Sequence, residues 1–205
     1  MFDTLNVYLF KAFRPIYNKK LQKRLKNSNF SIISINCLGG IISHDLNQRF
    51  LSPFINLWMQ PADFVKLCQN LEYYMSVELK DFTTEEGIDY PIGVIDGMKL
   101  YFQHYESEEE AAKKWNERRA RVNYDNMYFI LQERENTSIE TLKAFDELPY
   151  EHKIMFTHKP YDGLKNVYYM KGFENDNGAM NLLHVVSPIK RRVDEFDFVE
   201  WFNIL

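Results

Sequence analysis

The chain has little cysteine and no long apolar run, and each scarcity excludes a class of protein. Only two cysteines, Cys37 and Cys68, occur in 205 residues, which excludes a disulfide scaffold and a cysteine-rich zinc site. No apolar run approaches the roughly 20 residues of a membrane-spanning helix. The N-terminus also lacks a basic region followed by an apolar one, so we expect no secretory signal. These features predict a cytoplasmic protein, in which thiols stay reduced.

Common cofactor motifs are missing as well. The sequence contains no GxGxxG, no P-loop and no HExxH. Three of the five histidines, His152, His158 and His184, do not have the spacing of metal ligands, and we interpret them as structural. We therefore predict no metal, and the residues do not identify a cofactor.

Basic residues are concentrated at the start of the chain. Residues 1–26 contain seven Lys or Arg side chains and one acid, so this segment carries +6 and the remainder −10 of the net −4. Apolar positions between the basic ones predict an amphipathic helix over 4–26, interrupted near Pro15. We expect the segment 1–28 to pack on or beside the domain. The alternative is a helix that contacts a membrane surface. The acidic body argues against nucleic acid as a partner.

Strands and helices alternate through the rest of the chain. This order predicts a single α/β domain over 29–205, with three layers, a mostly parallel sheet and a Rossmann-like arrangement. Strands are predicted at 30–36, 90–95, 98–104, 126–131, 153–157, 167–170 and 182–186. Helices are predicted at 40–49, 61–79, 107–122, 138–148 and 194–202.

The strongest functional signal is the end of the first strand. The apolar run of residues 30–35 stops at Asn36-Cys37, and Gly39-Gly40 follow. Ligands collect at the carboxyl ends of strands in α/β folds, and a thiol delivered there is suited to act as a nucleophile. The glycine pair could expose amide donors for an oxyanion. A buried, inert cysteine would produce the same pattern, so both readings stay open.

Two histidines could serve such a thiol as a base. His44 follows Cys37 by seven residues, and His104 ends another predicted strand. Asp45 could orient either imidazole.

A second group of candidates surrounds the helix predicted at 107–122. Arg118 and Arg121 are three residues apart and share one helix face, where they could hold a phosphate. The alternative is an ion pair of Arg121 with Glu117 and a core position for Trp115. We expect the Cys37 thiol and these guanidiniums to open into one cavity. The further binding candidates are Asn56, Tyr105, Trp115 and Asn123.

Five separated blocks of the chain resemble, in the same order, the bacterial family DUF1919. The blocks are NCLGGIISHDL, SPFINLWM, DFVKLCQNLEYYM, YPIGVIDGMKLYFQHYESEEEA and KKWNERRARVNYDN, and the similarity runs from about residue 29 to the C-terminus. Members are often described as exopolysaccharide or capsular-polysaccharide biosynthesis proteins. Leu38 and Ser43 stand where the family usually has aromatic residues, which weakens any role for an aromatic platform beside the thiol.

The resemblance implies a role in surface-polysaccharide assembly. Combined with the candidate residues, it predicts a transferase of acyl, glycosyl or phosphoglycosyl type, with a glycan substrate and an activated sugar or acyl donor. One alternative is a non-catalytic module that binds a glycan phosphate or a partner protein. The other is a papain-like cysteine hydrolase. The basic first helix would place the site at the inner face of the membrane.

Overall fold

The computed structural model describes residues 2–176 and 178–204, which form two four-stranded sheets with helices around them. The chain is a mixed α/β protein. The strands are β1 (Ser31–Ser34), β2 (Trp58–Met59), β3 (Asp81–Thr83), β4 (Ile92–Ile95), β5 (Met98–Tyr101), β6 (Met127–Gln132), β7 (His152–Thr157) and β8 (Val167–Tyr169). The helices are α1 (Phe2–Arg24), α2 (Leu38–Asp45), α3 (Pro61–Gln69), α4 (Leu71–Ser76), α5 (Glu108–Arg119), α6 (Ile139–Asp146) and α7 (Phe198–Phe202).

The parallel sheet has the order β1-β6-β7-β8 and is buried on both faces. Alternate residues of its strands enter two different apolar clusters. Ile33 and Phe129 belong to one cluster, and Ile32 and Tyr128 belong to the other. Parallel strands buried in this way read as continuous apolar runs, which is how β1 and β6 appear in the sequence.

The second sheet is antiparallel, with the order β2-β5-β4-β3. Its central hairpin turns at Asp96-Gly97, where both residues have positive φ angles of 48° and 79°. Such φ values match the tight turns that join antiparallel strands, so the predicted hairpin is confirmed. The expected mostly parallel sheet accounts for only one of the two sheets.

The two sheets meet at the end of β1. The amide of Met59 in β2 donates to the carbonyl of Ile35, directly after β1, at 3.0 Å. One apolar cluster contains residues of both sheets, including Ile33 and Phe129 from the parallel sheet and Met59 and Leu100 from the antiparallel one. This junction brings Trp58 close to the residues that follow β1.

Several predicted boundaries needed correction. Residues 182–186 form no strand; only an isolated bridge joins Val185 to Arg191. The helix predicted over 61–79 is two helices, because Asn70 between them has non-helical angles. The short strand β3 was not predicted. Helix α1 passes through Pro15 without a break, and Pro15 is exposed, so the Lys11 carbonyl it leaves unpaired can be hydrated.

Helix α1 packs on α2 and the C-terminal segment through a buried ionic network. The guanidinium of Arg14 contacts the carboxylates of Asp45 at 2.6 Å and Asp194 at 2.5 Å. Asp45 also contacts Arg191, and it accepts a hydrogen bond from Asn18 at 2.8 Å. The network fixes which face of α1 points toward the rest of the protein.

Candidate functional site

A cavity of about 310 Å³ lies at the carboxyl edge of the parallel sheet. The residues that follow β1 and end β6 form one side of it, and the β2 and β5 region of the second sheet forms another. Its polar and aromatic lining consists of Asn36, Cys37, Trp58, Gln103, His104, Gln132, Arg134 and Asn181. The rule that ligands bind beyond the carboxyl ends of parallel strands makes this cavity the candidate site.

A chain of amide hydrogen bonds connects three of the residues that line the cavity. Asn36 Nδ2 donates to Gln132 Oε1 at 2.7 Å, and Gln132 Nε2 donates to the carbonyl of Met180 at 2.6 Å. Asn36 Oδ1 accepts from the amide of Leu38 at 3.0 Å, at the start of α2. Asn36 therefore holds the turn that presents Cys37 and links it to the end of β6.

Cys37 lines this cavity and is partly buried. It is the N-cap residue of α2, and its thiol donates a long hydrogen bond to the carbonyl of Leu57 at 3.8 Å. Burial raises the pKa of the Cys37 thiol above its ordinary value. At neutral pH Cys37 is therefore a protonated thiol, and the cavity that it lines contains both apolar and polar side chains.

Of the two histidines considered as bases, the structure brings only one into the cavity with Cys37. His104 follows β5, is exposed and lines the cavity. His44 lies at the end of α2, its side chain is 81% exposed, and it lines a different pocket. Asp45 makes its shortest contacts with Arg14 and Arg191, and its oxygen is 3.8 Å from His44 Nδ1.

Arg134 is a site residue that the sequence analysis missed. Its guanidinium Cζ lies 4.5 Å from the ring centroid of Trp58, in the geometry of a cation–π contact. Within residues 2–176 and 178–204, no carboxylate lies within ion-pair distance of Arg134, and its guanidinium makes no hydrogen bond. Partial burial lowers the pKa of Arg134, and the nearby charges of Glu135 and Tyr90 oppose this effect without cancelling it.

Trp58 is held rigidly beneath that cation. Its other face stacks on Tyr101 with a centroid distance of 3.8 Å and an interplanar angle of 6°. Its indole Nε1 donates to the hydroxyl of Tyr90 at 3.3 Å. Tyr101 is anchored in turn by Glu85, to which its hydroxyl donates at 3.0 Å. Because both faces of Trp58 are covered, the ring positions Arg134 and offers no free surface for a sugar.

A buried acid–base cluster lies farther along the same sheet edge. Glu133 follows β6 and His158 follows β7; their side chains approach to 3.2 Å between Nδ1 and Oε2. The amide of His158 and the hydroxyl of Tyr161 also donate to the Glu133 carboxylate. His158 Nε2 lies 3.0 Å from the carbonyl of Gly178. All of these groups have partners within the cluster, which connects the ends of two strands.

Arg118 belongs to a second, separate pocket. This pocket is lined by Arg118, His44, Asn56, Arg191 and Gly40, among others. Arg118 Nη1 donates to the hydroxyl of Tyr105 at 2.7 Å, and Tyr105 donates to the carbonyl of Ile55. The thiol of Cys37 and the guanidinium of Arg118 therefore do not share the single cavity that we expected.

The remaining binding candidates serve the framework in this structure. Trp115 is 1% exposed and packs edge-on against Phe54 and Phe102. Arg121 lies just beyond the end of α5, so it does not share a helix face with Arg118; its Nη2 is 3.8 Å from Glu117 Oε2, the ion pair given above as the alternative. Asn123 joins the start of β1 to β6: its amide N–H bonds to Ser31 Oγ and its side chain to the carbonyl of Asn29.

The two glycines after Cys37 allow α2 to approach its neighbours. A Cβ atom on Gly39 would lie 2.9 Å from Ile32 Cγ2 and from Ser34 Cβ, inside normal contact distance. A Cβ on Gly40 would lie 3.4 Å from the Ile55 side chain. The close packing of α2 on β1 therefore requires glycine at position 39 and brings Cys37 to the sheet edge.

Potential metal ligands are dispersed over the part of the chain that the structure describes. In that part no three His, Cys, Asp or Glu side chains lie close enough together to hold a metal ion. The polar groups of the main cavity are amides, a thiol, an imidazole and a guanidinium, which suit an organic anion better than a cation.

The sequence did contain a signal for the missed residues. Gln132-Glu133-Arg134 directly follow the apolar residues of β6, just as Asn36-Cys37 follow β1. The carboxyl-end rule that selected Cys37 applies equally to them, because neighbouring parallel strands end at the same edge. The position of Trp58 beside that edge depends on the contact between the two sheets and carries no local signal.

The comparisons with known proteins agree with the resemblance seen in the sequence. Residues 9–203 match the model of a family described as a domain of unknown function, DUF1919, and the chain belongs to this family. It is similar to a protein of Haemophilus influenzae described as an uncharacterized protein. The two are 38% identical over 203 residues, which cover 98% of each chain.

Proposed function

We propose that this protein is a transferase that acts on an anionic carbohydrate in bacterial surface-polysaccharide assembly. Arg134 carries the proposal, because a half-buried guanidinium that stacks on Trp58, makes no ion pair among the described residues and lines the same cavity as a cysteine thiol is suited to bind a carboxylate or phosphate of a substrate. The polysaccharide context comes from the family resemblance. The reaction would take place in the cytoplasm, where the two free cysteines stay reduced.

Acyl transfer is the reaction that best suits the residues of the cavity. Cys37 Sγ would attack the carbonyl carbon of an acyl donor and form a thioester, and His104 would accept the thiol proton and pass it to the leaving group. A hydroxyl of the acceptor sugar would then displace Cys37 and return a proton to its sulfur. Arg134 would hold the anionic group of the acceptor sugar, in the place that the leaving group of the donor occupies before it departs. Asn36 and Gln132 could bond to its hydroxyls.

A three-layer, Rossmann-like arrangement remains part of the proposal. Apolar residues cover both faces of the parallel sheet, as such an arrangement requires. The site would then occupy the sheet edge where this class of fold binds its ligands.

Two acetyl esters provide a test that needs no natural substrate. The first is 4-nitrophenyl acetate, which is neutral, and the second is 4-acetoxy-3-nitrobenzoate, which carries a carboxylate. We expect the protein to release one equivalent of nitrophenol rapidly and to carry an acetyl group on Cys37, located by peptide mass spectrometry. Cys37→Ser should lose the rapid phase, and the matched variant Cys68→Ser should keep it, because Cys68 is fully buried.

The role of Arg134 is separated from that of the thiol by comparing the two esters. Arg134→Gln should slow acetylation by the anionic ester about tenfold, the worth of one charge-assisted contact, and leave the neutral ester nearly unchanged. If neither ester acetylates Cys37 in the wild-type protein, the acyl-transfer mechanism is refuted.

The raised pKa of Cys37 favours a second candidate, a non-catalytic module that binds an anionic glycan. This module would use Arg134 and the amide groups without forming a bond to sulfur. Titration calorimetry with methyl glucuronide and methyl glucoside, which differ in a carboxylate, tests it. Binding of the glucuronide alone, lost in Arg134→Gln and kept in Cys37→Ser, together with no acetylation of Cys37, would favour the module over the transferase.

A further inference from the structure

Helix α1 exposes an unusual amount of apolar surface. Tyr8 is 68% exposed, Ile16 56% and Phe13 45%. Tyr8, Ala12 and Ile16 are spaced by four residues, so they follow one side of the helix. Single exposed apolar residues are common on protein surfaces, whereas a row on one helix face indicates a contact surface.

Lysines continue the same side of the helix toward its C-terminal end. Lys19 and Lys23 follow Ile16 at spacings of three and four residues, and Lys20 lies beside them. All three are exposed. Among the side chains that the structure describes, no carboxylate lies within ion-pair distance of any of them. We call Tyr8, Ala12, Phe13, Ile16 and these three lysines the outer face of α1.

The opposite side of α1 is fixed against the body of the protein. Arg14 makes two buried ion pairs, Asn18 donates to the Asp45 carboxylate, and Gln22 donates to the Asp45 carbonyl at 2.8 Å. The outer face therefore cannot turn inward without breaking this network.

We propose that the outer face of α1 binds the surface of a lipid bilayer that contains anionic headgroups, with the helix parallel to the membrane plane. The apolar side chains would enter the boundary between headgroups and acyl chains, to a depth of roughly 5–10 Å, and the lysines would contact the headgroups. Charge complementarity argues for this partner, because the outer face presents three lysines without an ion pair among the described side chains, on a segment 1–26 that carries +6 while the remainder carries −10. The acidic body would be repelled and would face away from the membrane.

This contact differs from membrane insertion. No helix in the described part of the chain is both long and apolar enough to cross a bilayer. The proposal is independent of the proposed function, because it uses no residue of the Cys37 cavity.

Sedimentation with vesicles tests the proposal. We expect the full chain to bind vesicles of phosphatidylcholine with phosphatidylglycerol, and to bind vesicles of phosphatidylcholine alone weakly. Binding should fall several-fold between low and high salt, because salt screens exposed charges. Equal binding to both vesicle types, or an absence of binding at low salt, would overturn the proposal.

Matched variants locate the binding surface. The double variant Tyr8→Ser, Ile16→Ser and the triple variant Lys19→Gln, Lys20→Gln, Lys23→Gln should each reduce binding about tenfold or more. The control triple Lys80→Gln, Lys113→Gln, Lys171→Gln removes the same charge from exposed lysines elsewhere and should bind like the wild type. Loss of binding in this control as well would attribute the effect to total charge and refute a specific face.

A fluorescent probe separates lipid contact from self-association. In the variant Tyr8→Trp, the new indole should shift to the blue on vesicle binding and be quenched by brominated lipids. Difference spectra against the wild type remove the signals of Trp58, Trp115 and Trp201. The proposal would be overturned if the indole at residue 8 is not quenched and gel filtration shows a dimer that the double variant Tyr8→Ser, Ile16→Ser dissociates. A second copy of the chain would then cover this face.

Discussion

The guanidinium of Arg134 lies 4.5 Å above the indole of Trp58, and the opposite face of that indole stacks on Tyr101. The three side chains form a stack that joins the loop after β6 to the antiparallel sheet. Because Arg134 is fixed by stacking and lacks a carboxylate partner among the described residues, it is preorganised to bind an anion in the cavity.

The first prediction concerns this stack. Trp58→Leu keeps the charge of Arg134 and removes its support, so we expect affinity for methyl glucuronide to fall about three- to tenfold, the usual worth of a cation–π contact. Arg134→Gln should abolish detectable binding. Trp58→Phe, which keeps an aromatic face, should bind nearly as well as the wild type. Calorimetry measures all three, and equal affinities of the leucine variant and the wild type would contradict a positioning role for Trp58.

The second prediction concerns the packing of α2 on β1. A methyl group at Gly39 would lie 2.9 Å from Ile32 and Ser34, so Gly39→Ala should lower the free energy of unfolding by about 1–3 kcal/mol, the usual cost of overpacking. Gly40→Ala meets Ile55 at 3.4 Å and gains helix propensity. We expect it to change stability by less than about 1 kcal/mol. Urea denaturation of both variants measures the difference, and similar losses in the two would argue against close packing at Gly39.

The third prediction concerns the buried carboxylate of Asp45. Burial alone would raise the pKa of Asp45, but the hydrogen bonds and charges of Arg14 and Arg191 outweigh burial and lower it below its ordinary 3.8. The stabilisation is therefore present above about pH 4 and is lost as the pH falls through the lowered pKa. We expect Asp45→Asn to cost about 3 kcal/mol at pH 7, as breaking a buried ion pair does.

The pH dependence distinguishes this variant from an ordinary destabilised one. The difference in unfolding free energy between wild type and Asp45→Asn should shrink as the pH is lowered from 7 to 3. Glu117→Gln removes an exposed pair with Arg121 and should cost less than about 1 kcal/mol. A difference for Asp45→Asn that stays constant down to pH 3 would show that its carboxylate is not the stabilising species.

The fourth prediction concerns the two thiols. Burial raises the pKa of the Cys37 thiol, and full burial raises that of Cys68 well above its ordinary value. Alkylation of the folded protein by iodoacetamide should therefore modify Cys37 alone, at a rate that still rises above pH 9, because the thiolate is the reactive form. Peptide mass spectrometry resolves the two sites. Rapid modification of Cys37 that levels off near pH 7 would show an activated thiolate in the resting protein.

Local sequence signals predicted the elements that depend on neighbouring residues. The hairpin at Asp96-Gly97 follows from a dipeptide that tolerates positive φ. Ser107 caps the N-terminus of α5: its side chain accepts from the amide of Glu110 at 3.1 Å, as the spacing of these residues indicated. The position of Cys37 at the end of β1 likewise follows from an apolar run that stops at a polar turn.

Signals of this kind failed where distant contacts decide the structure. Asp45 was considered an orienting acid for a histidine, but Arg14 and Arg191, from the two ends of the chain, pair with it. Arg118 and Cys37 were expected in one cavity, and they line two. Residues 182–186 carry a strand-like pattern, yet they make only one bridge with a neighbouring segment.

The sequence by itself determined the family, the mixed α/β class, the basic first helix and the presence of a thiol at a strand end. The family follows from blocks of residues in the same order along most of the chain, and the other properties depend on residue type and on spacing between near neighbours in the sequence. Only the tertiary structure decided that His104 shares a cavity with Cys37, that Arg134 is stacked and unpaired among the described residues, and that the outer face of α1 is exposed. Each of these depends on how the two sheets and the terminal segments pack, and packing energy is a sum over contacts between residues far apart in the chain.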